Sequence, residues 1–247
     1  PYPIGNTWRA TREGSEVIVV GTLHIPDPRL DPIAAKIEPF VRDADLLILE
    51  ATAEDQAGLA NMAAEQPEMF FLTGGPTLID LLGEEDWALA SERVGELGLP
   101  AFMAAKFQPW YMNLTLATPP CAMALITSGE VGLDRRLEII AEEEGVPVTA
   151  LDDAEALLGL FASDPLEVQL ASLRLTLTTQ ADTEANASTL IQAYFDERVR
   201  EGWEFARILI DRADIEGGIG MFETMNSVLL DGRNLDWEPQ IVAHAEG

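Results

Sequence analysis

The chain has 247 residues, with 43 Asp and Glu against 15 Lys and Arg, a formal net charge of −28. That balance argues against a surface for phosphate backbones, which are bound by clustered Lys and Arg that displace counterions. Hydrophobic residues make up 47% and aromatic residues 7% of the chain, so it is not a disordered acidic tail, and its length is ample for a buried core.

The acidity reads as a soluble or salt-tolerant surface rather than as a partner's signature. A single cysteine, Cys121, excludes an internal disulfide and a four-cysteine zinc site and reads as an inert core residue. No apolar run reaches the roughly 18 residues of a membrane span. The chain begins at Pro1 rather than Met, so removal of an upstream segment is expected. An exported location, periplasmic or cell-envelope, and a cytoplasmic one both stay open.

The first third alternates strand and helix. Glu16 to Val20 is a β-branched run ending at Gly21, with the look of a buried strand. Asp31-Pro32 offers an N-cap followed by a proline at the first helical position. Ile33, Ile37, Phe40 and Val41 then recur at helical spacing to about Arg42. Leu46 to Leu49 is a second buried strand, ending at Glu50. Strand, helix and strand in that order make a βαβ unit, which requires parallel pairing.

From Glu54 to Thr118 the signals are helical. Thr77 can cap Leu78–Leu82, Gly98-Leu99-Pro100 breaks the next helix, and Phe102–Leu116 reads as one buried helix kinked at Pro109. Leu133–Glu144 is an amphipathic helix ended by Gly145, and Pro147–Leu151 a third strand leading into Asp152-Asp153. Beyond Ala154 the chain is helical almost to its end. Helices start near Ser163-Asp164-Pro165 and Asp182-Thr183, and breaks fall at Gly202 and Gly217-Gly218.

The expected fold is therefore mixed α/β. A small, mostly parallel sheet carries a large helical insertion at 54–118 and a helical second half, 154–247, all in a single domain.

Ligands of open α/β sheets bind outside the carboxyl ends of the strands. Strand one runs into Gly21-Thr22-Leu23-His24, strand two into Glu50, and strand three into Asp152-Asp153. An imidazole and a carboxylate converging on one rim suit a divalent metal, or a general base with an electrophilic partner. Each residue also has a structural reading. His24 is equally a hydrogen-bonded loop residue, Glu50 a helix start, and Asp152-Asp153 the cap of the Ala154–Phe161 helix. Gly129–Asp134 is a glycine turn that caps the next helix with Asp134, and Glu142-Glu143-Glu144 a solvated face. Arg233 and Asn234 sit together late in the chain, where an arginine either pairs with a helix carboxylate or clamps an anion.

Taken together, these segments resemble the TraB/PrgY/GumN family, to which the Wnt-cleaving Tiki proteases are related. The matching pieces are Trp8-Arg9, Gly21-Thr22-Leu23-His24, Asp27-Pro28 and the strand ending in Glu50. They continue, in family order, with Gly132-Leu133-Asp134, Gly145–Val148 and Arg233–Trp237.

The resemblance implies a mixed α/β fold shared distantly with erythromycin esterases and a haem-binding lipoprotein family. It also implies a divalent-metal-dependent peptidase, with manganese or cobalt favoured and zinc an option. Carried over residue by residue, His24 would be a metal ligand or catalytic histidine and Glu50 a metal ligand or general base. Arg233, with Asn234 beside it, would orient the site or stabilise an oxyanion, Asp134 would support it, and Gly21 would let the backbone turn sharply so that His24 faces the rim.

The family's second glycine-x-x-histidine motif and its C-terminal strand are expected to be missing, since His244 is preceded at the key spacing by Ile241. The expected function is a metal-dependent, Tiki-like hydrolase of peptides. The alternatives are a metal-free hydrolase of small esters with His24 as base, and a non-enzymatic haem- or signal-binding module around Trp110 and Tyr111. Leu173, Leu175, Leu177, Leu190 and Ile191 offer apolar surface for a homodimer.

Overall fold

The computed structural model describes residues 4–179 and 183–246. β1 (Thr7–Arg12) and β2 (Ser15–Val20) lead through a short 3₁₀ turn into α1 (Asp31–Arg42) and β3 (Leu47–Leu49). A run of helices follows: α2 (Ala53–Glu65), α3 (Pro67–Phe70), α4 (Leu78–Leu82) and α5 (Glu84–Glu96). It continues with α6 (Ala101–Ala104), α7 (Pro109–Leu116) and α8 (Pro120–Thr127). Then come α9 (Leu133–Glu144) and β4 (Val148–Ala150), followed by α10 (Ala154–Ser163) and α11 (Leu166–Thr179). The last helices are α12 (Thr183–Phe195), α13 (Val199–Arg212), α14 (Gly218–Asn226) and α15 (Arg233–Glu246).

The class is the expected mixed α/β, with few strands and a helical second half, but the strand pairing differs. β1 and β2 form an antiparallel hairpin, Thr7 opposite Val20 and Arg12 opposite Ser15. β3 and β4 form a separate parallel ribbon, Leu47 opposite Val148 and Leu49 opposite Ala150. The Val17–Val20 run is thus neither parallel nor fully buried; Val19 is 47% exposed. Its partner strand precedes it because Glu13 and Gly14 both adopt positive φ, 52° and 96°, the backbone that a two-residue type I′ turn demands.

Two compact units divide the chain. The first takes Pro1–Thr52, Leu125–Leu151 and Ala187–Gly247. Its core joins Ile37 and Val41 of α1 to Leu133, Leu137 and Ala141 of α9, with Leu30 and Tyr194. These positions recur at helical spacing, so each helix turns one apolar stripe inward. Phe40, expected on that stripe, is exposed and lies under the Arg9 guanidinium at 5.7 Å. Asp31 is the first residue inside α1 rather than its cap; Asp27, one turn earlier, accepts from the Arg29 N–H and starts the 3₁₀ turn instead.

The second unit, Ala53–Ala124 with Asp152–Asn186, is helical. The stretch expected as an insertion falls in it, and α10 and α11 complete it. Leu78, Val94, Met112, Leu173 and Leu177 make its core, and Phe70, Trp110 and Tyr111 an aromatic cluster beside it. Trp110 donates its indole N–H to the Met69 carbonyl at 3.1 Å, as a buried indole requires.

Leu173, Leu175 and Leu177 are therefore internal rather than a dimer face, while Leu190 is 41% exposed. Thr77 precedes α4, with its N–H donating to Asp80 at 2.8 Å. The helix expected across Phe102–Leu116 is two helices, because Pro109 sits at the first position of α7, where its missing N–H costs nothing. Gly202 lies inside α13 rather than at a break, its bare Cα facing Leu190 and Ala193. Cys121 is exposed, not a core residue. Asp182 lies outside the described residues. No helix of the described residues is long and apolar enough to cross a membrane.

Candidate functional site

The first unit brings four of the expected site residues together. His24 follows β2 by four residues, Glu50 immediately follows β3, Asp134 lies in the first turn of α9, and Arg233 opens α15. His24 Nδ1 donates to Asp134 Oδ2 at 2.7 Å. On the other side of the ring, Nε2 stands 4.0 Å from Glu50 Oε2. That same oxygen accepts from Arg233 Nη2 at 2.6 Å. The result is two bonded pairs, Asp134–His24 and Glu50–Arg233, that face each other across 4.0 Å.

Local structure explains each placement. The Leu133 N–H donates to the Leu23 carbonyl at 2.9 Å, which clips the 22–24 segment to the start of α9. Gly132 makes that approach feasible: a β-carbon there would fall 2.8 Å from the His24 Cα, closer than side chains tolerate. Gly132, not Asp134, is the N-cap of α9, and the Asp134 carboxylate turns to His24 and to the Thr22 hydroxyl instead of capping. Gly21, by contrast, has ordinary space around it and no left-handed backbone, so the sharp turn expected there is absent. Its carbonyl accepts from Tyr194 Oη at 3.0 Å.

Arg233 follows a π-helical stretch, Ser227–Gly232, that joins α14 to α15 without a break. Such wide turns shift the helical register and recur at functional sites. Arg233 Nη1 donates to the Leu229 carbonyl at 3.2 Å, and the guanidinium lies 4.5 Å over the Trp237 ring. Asn234 is exposed and joins none of these contacts. Asp153 accepts from the N–H groups of Glu155 and Ala156, at 2.9 and 3.1 Å, as the cap of α10. Asp153 therefore has the capping role expected of it, and it lies in the second unit.

The electrostatics follow from this wiring. The hydrogen bond to Asp134 raises the His24 pKa above its ordinary 6.5; burial works against it, and the Asp134 and Glu50 charges add to it. For Asp134, burial would raise the carboxyl, yet the bonds from His24 and Thr22 and the imidazolium charge outweigh it and hold the group below 3.8. Desolvation, then the Asp134 charge, pushes Tyr194 up to about 12, so it remains a donor. The His24 side chain keeps 63% of its surface exposed. A shallow pocket of about 120 Å³ near Asp27, Asp31 and Arg136 includes neither His24 nor Glu50.

A divalent ion would find two donors here, His24 Nε2 and the Glu50 carboxylate. Among the described residues no set of three His, Cys, Asp or Glu side chains is grouped to hold a metal. The Glu50 oxygen nearest His24 already carries the Arg233 cation. This donor set does not fit a closed site of four protein ligands. Sequence reasoning missed Thr22, which shares a tetrapeptide with His24, along with Gly132's contact with the His24 backbone and the Tyr194 bond.

A histidine held by one carboxylate, facing a second carboxylate paired with arginine at a strand end, defines a mixed α/β protein with an acid–base cluster. The chain belongs to the TraB/PrgY/gumN family, whose model matches residues 6–247. No curated protein and no solved structure matches it.

Proposed function

We propose that this chain is a hydrolase of peptides or small esters in which His24 activates water. The carrying observation is the Asp134–His24 hydrogen bond, which leaves Nε2 directed toward the Glu50–Arg233 pair. In the reaction, Nε2 takes a proton from water while the water oxygen adds to the substrate carbonyl. The imidazolium, stabilised by Asp134, then returns that proton to the leaving amine or alkoxide. Arg233, held by Glu50 and stacked on Trp237, stabilises the developing oxyanion in this reading.

A second reading, in which His24 Nε2 and Glu50 bind manganese, cobalt or zinc and the hydrolase is a metallopeptidase, has one observation in its favour. Metal-bound histidines characteristically donate their other ring N–H to a carboxylate, as His24 does. Exhaustive chelation separates the two. Turnover that survives chelation and is lost in His24→Ala supports the metal-free base. Turnover lost on chelation and restored by manganese or cobalt, with calorimetric binding that needs both His24 and Glu50, supports the metallopeptidase.

A further inference from the structure

A carboxylate can orient a histidine only if it is itself oriented. A lone Asp side chain rotates about its terminal torsion, which is broad, and swings its oxygens in and out of the imidazole plane. Asp134 is restrained at both oxygens. Oδ2 accepts from His24 Nδ1 at 2.7 Å, and Oδ1 accepts from the Thr22 hydroxyl. Thr22 and Asp134 are 112 residues apart in sequence, and both are partly buried.

The contact is built from the backbone outward. The Leu133 N–H to Leu23 carbonyl bond sets the spacing of the two segments, and Gly132 admits the His24 main chain. Thr22 and His24 flank Leu23, so the residues on either side of the clipped carbonyl both reach the same carboxylate. Thr22 is β-branched, which restricts χ1 and keeps its hydroxyl on one bearing.

We propose that Thr22 is a positioning residue. By fixing the Asp134 carboxylate, it holds neutral His24 as the Nδ1–H tautomer, with the Nε2 lone pair directed at the Glu50–Arg233 pair. An isolated imidazole is free to carry its proton on either nitrogen, and the hydrogen bond made by one nitrogen decides what the other can do. Without the Thr22 hydroxyl, Asp134 is free to turn, and the tautomer bias weakens. The kinetic importance of Thr22 rests on the reading of His24 as the base. The tautomer it enforces does not, since that is measured without substrate.

The test is long-range nitrogen–proton correlation NMR on the nitrogen-15-labelled full chain, at a pH well above the imidazole range. His24 and His244 are the only histidines, so the spectrum holds two rings and the exposed His244 serves as the internal reference. In the wild type, His24 is expected to show a protonated Nδ1 and an unprotonated Nε2. In Thr22→Val, which removes the hydroxyl at nearly constant shape, the two nitrogen signals converge toward the averaged values of a mixed tautomer. In Thr22→Ser, which keeps the hydroxyl, the wild-type pattern returns. Two results overturn the proposal: a wild-type His24 that is protonated at Nε2, or a folded Thr22→Val that retains the Nδ1–H pattern. If Thr22→Val does not fold, Thr22→Ala, which also lacks the hydroxyl, is measured in its place, and retention of the Nδ1–H pattern in it overturns the proposal. Once a substrate is known, Thr22→Val should lower kcat about tenfold at unchanged KM, the order expected from one hydrogen bond felt only in the reacting state. Loss of the tautomer with unchanged kcat would overturn the base reading of His24 and leave the positioning role intact.

Discussion

The two units bury apolar surface to different extents, and the difference shows in how each holds its polar side chains. In the second unit Leu78, Ala90, Val94, Ala104, Met112 and Leu173 are fully buried, and an aromatic cluster packs beside them. In the first, only Leu30, Leu133 and Ala141 of the core cluster reach that state, and α15 buries none of its residues. The first unit therefore fixes its functional side chains by hydrogen bonds and one close backbone approach rather than by packing. A polar cluster wired in that way stays partly open to solvent while its side chains keep defined partners.

Substitutions at the support of each unit test whether packing holds one and hydrogen bonds the other. Leu173→Ala should cost roughly 2–5 kcal/mol, because it leaves a cavity among buried neighbours. Denaturant unfolding that registers a loss under about 1 kcal/mol would remove Leu173 from the core. In the first unit the largest effect should be chemical. Arg233→Ala is expected to lower kcat by about 10²–10³-fold, the usual effect of losing one oxyanion donor, with stability little changed. An equal loss of kcat and fold would show that Arg233 is only a structural ion pair.

Gly132→Ala tests the close approach and should destabilise by roughly 1–3 kcal/mol, since the His24 backbone cannot yield as a side-chain end would. A neutral result in thermal or denaturant unfolding would mean that α9 and the 22–24 segment have room to spare. Asp153→Ala, which removes a cap in the second unit, is worth about 1 kcal/mol and should leave any activity untouched.

The smallest and most diagnostic effect is in pH dependence. His24 is raised in the folded chain, so its contribution to stability is complete below 6.5 and is lost as pH rises through the raised value. Asp134 is lowered, so its contribution is present above 3.8 and is lost as pH falls through the lowered value. The basic form of His24 appears only above its raised pKa. Turnover should therefore rise with pH through a midpoint above 6.5, and Asp134→Asn should move that midpoint down. A midpoint that stays put in Asp134→Asn would detach Asp134 from His24 in solution.

Much of the site was legible in the sequence because it is local to strand ends. His24 after Gly21-Thr22-Leu23 and Glu50 after the Leu47–Leu49 strand both stand at the ends of β-branched or leucine-rich runs, where side chains emerge from the sheet. Arg233 was legible as a residue but not as a partner, because its contact with Glu50 spans 183 positions and depends on the register of a π-helical stretch. Asp134 looked like a cap, since acidic residues favour helix starts. Only the fold shows that its oxygens turn outward to Thr22 and His24.

The hairpin is not legible in the sequence, for a different reason. β1, Thr-Trp-Arg-Ala-Thr-Arg, is almost wholly exposed and carries no alternating apolar signal, so the following Val17–Val20 run looked like a buried parallel strand. The helical elements were read best, because caps and breakers such as Thr77, Gly98, Gly145 and Gly217 act within a few residues of themselves. Gly202 shows where that rule misleads, for it serves a helix–helix contact instead of a break.

We propose that His24, bonded to Asp134 and facing Glu50 and Arg233, activates water. The most direct measurement is turnover of a panel of fluorogenic peptides and nitrophenyl esters by the wild type and His24→Ala, with folding of both verified by circular dichroism. The expected result is a loss in kcat of about 10²–10⁴-fold in His24→Ala, the usual contribution of a positioned general base. A folded His24→Ala that turns over the same substrates as fast as the wild type would contradict it.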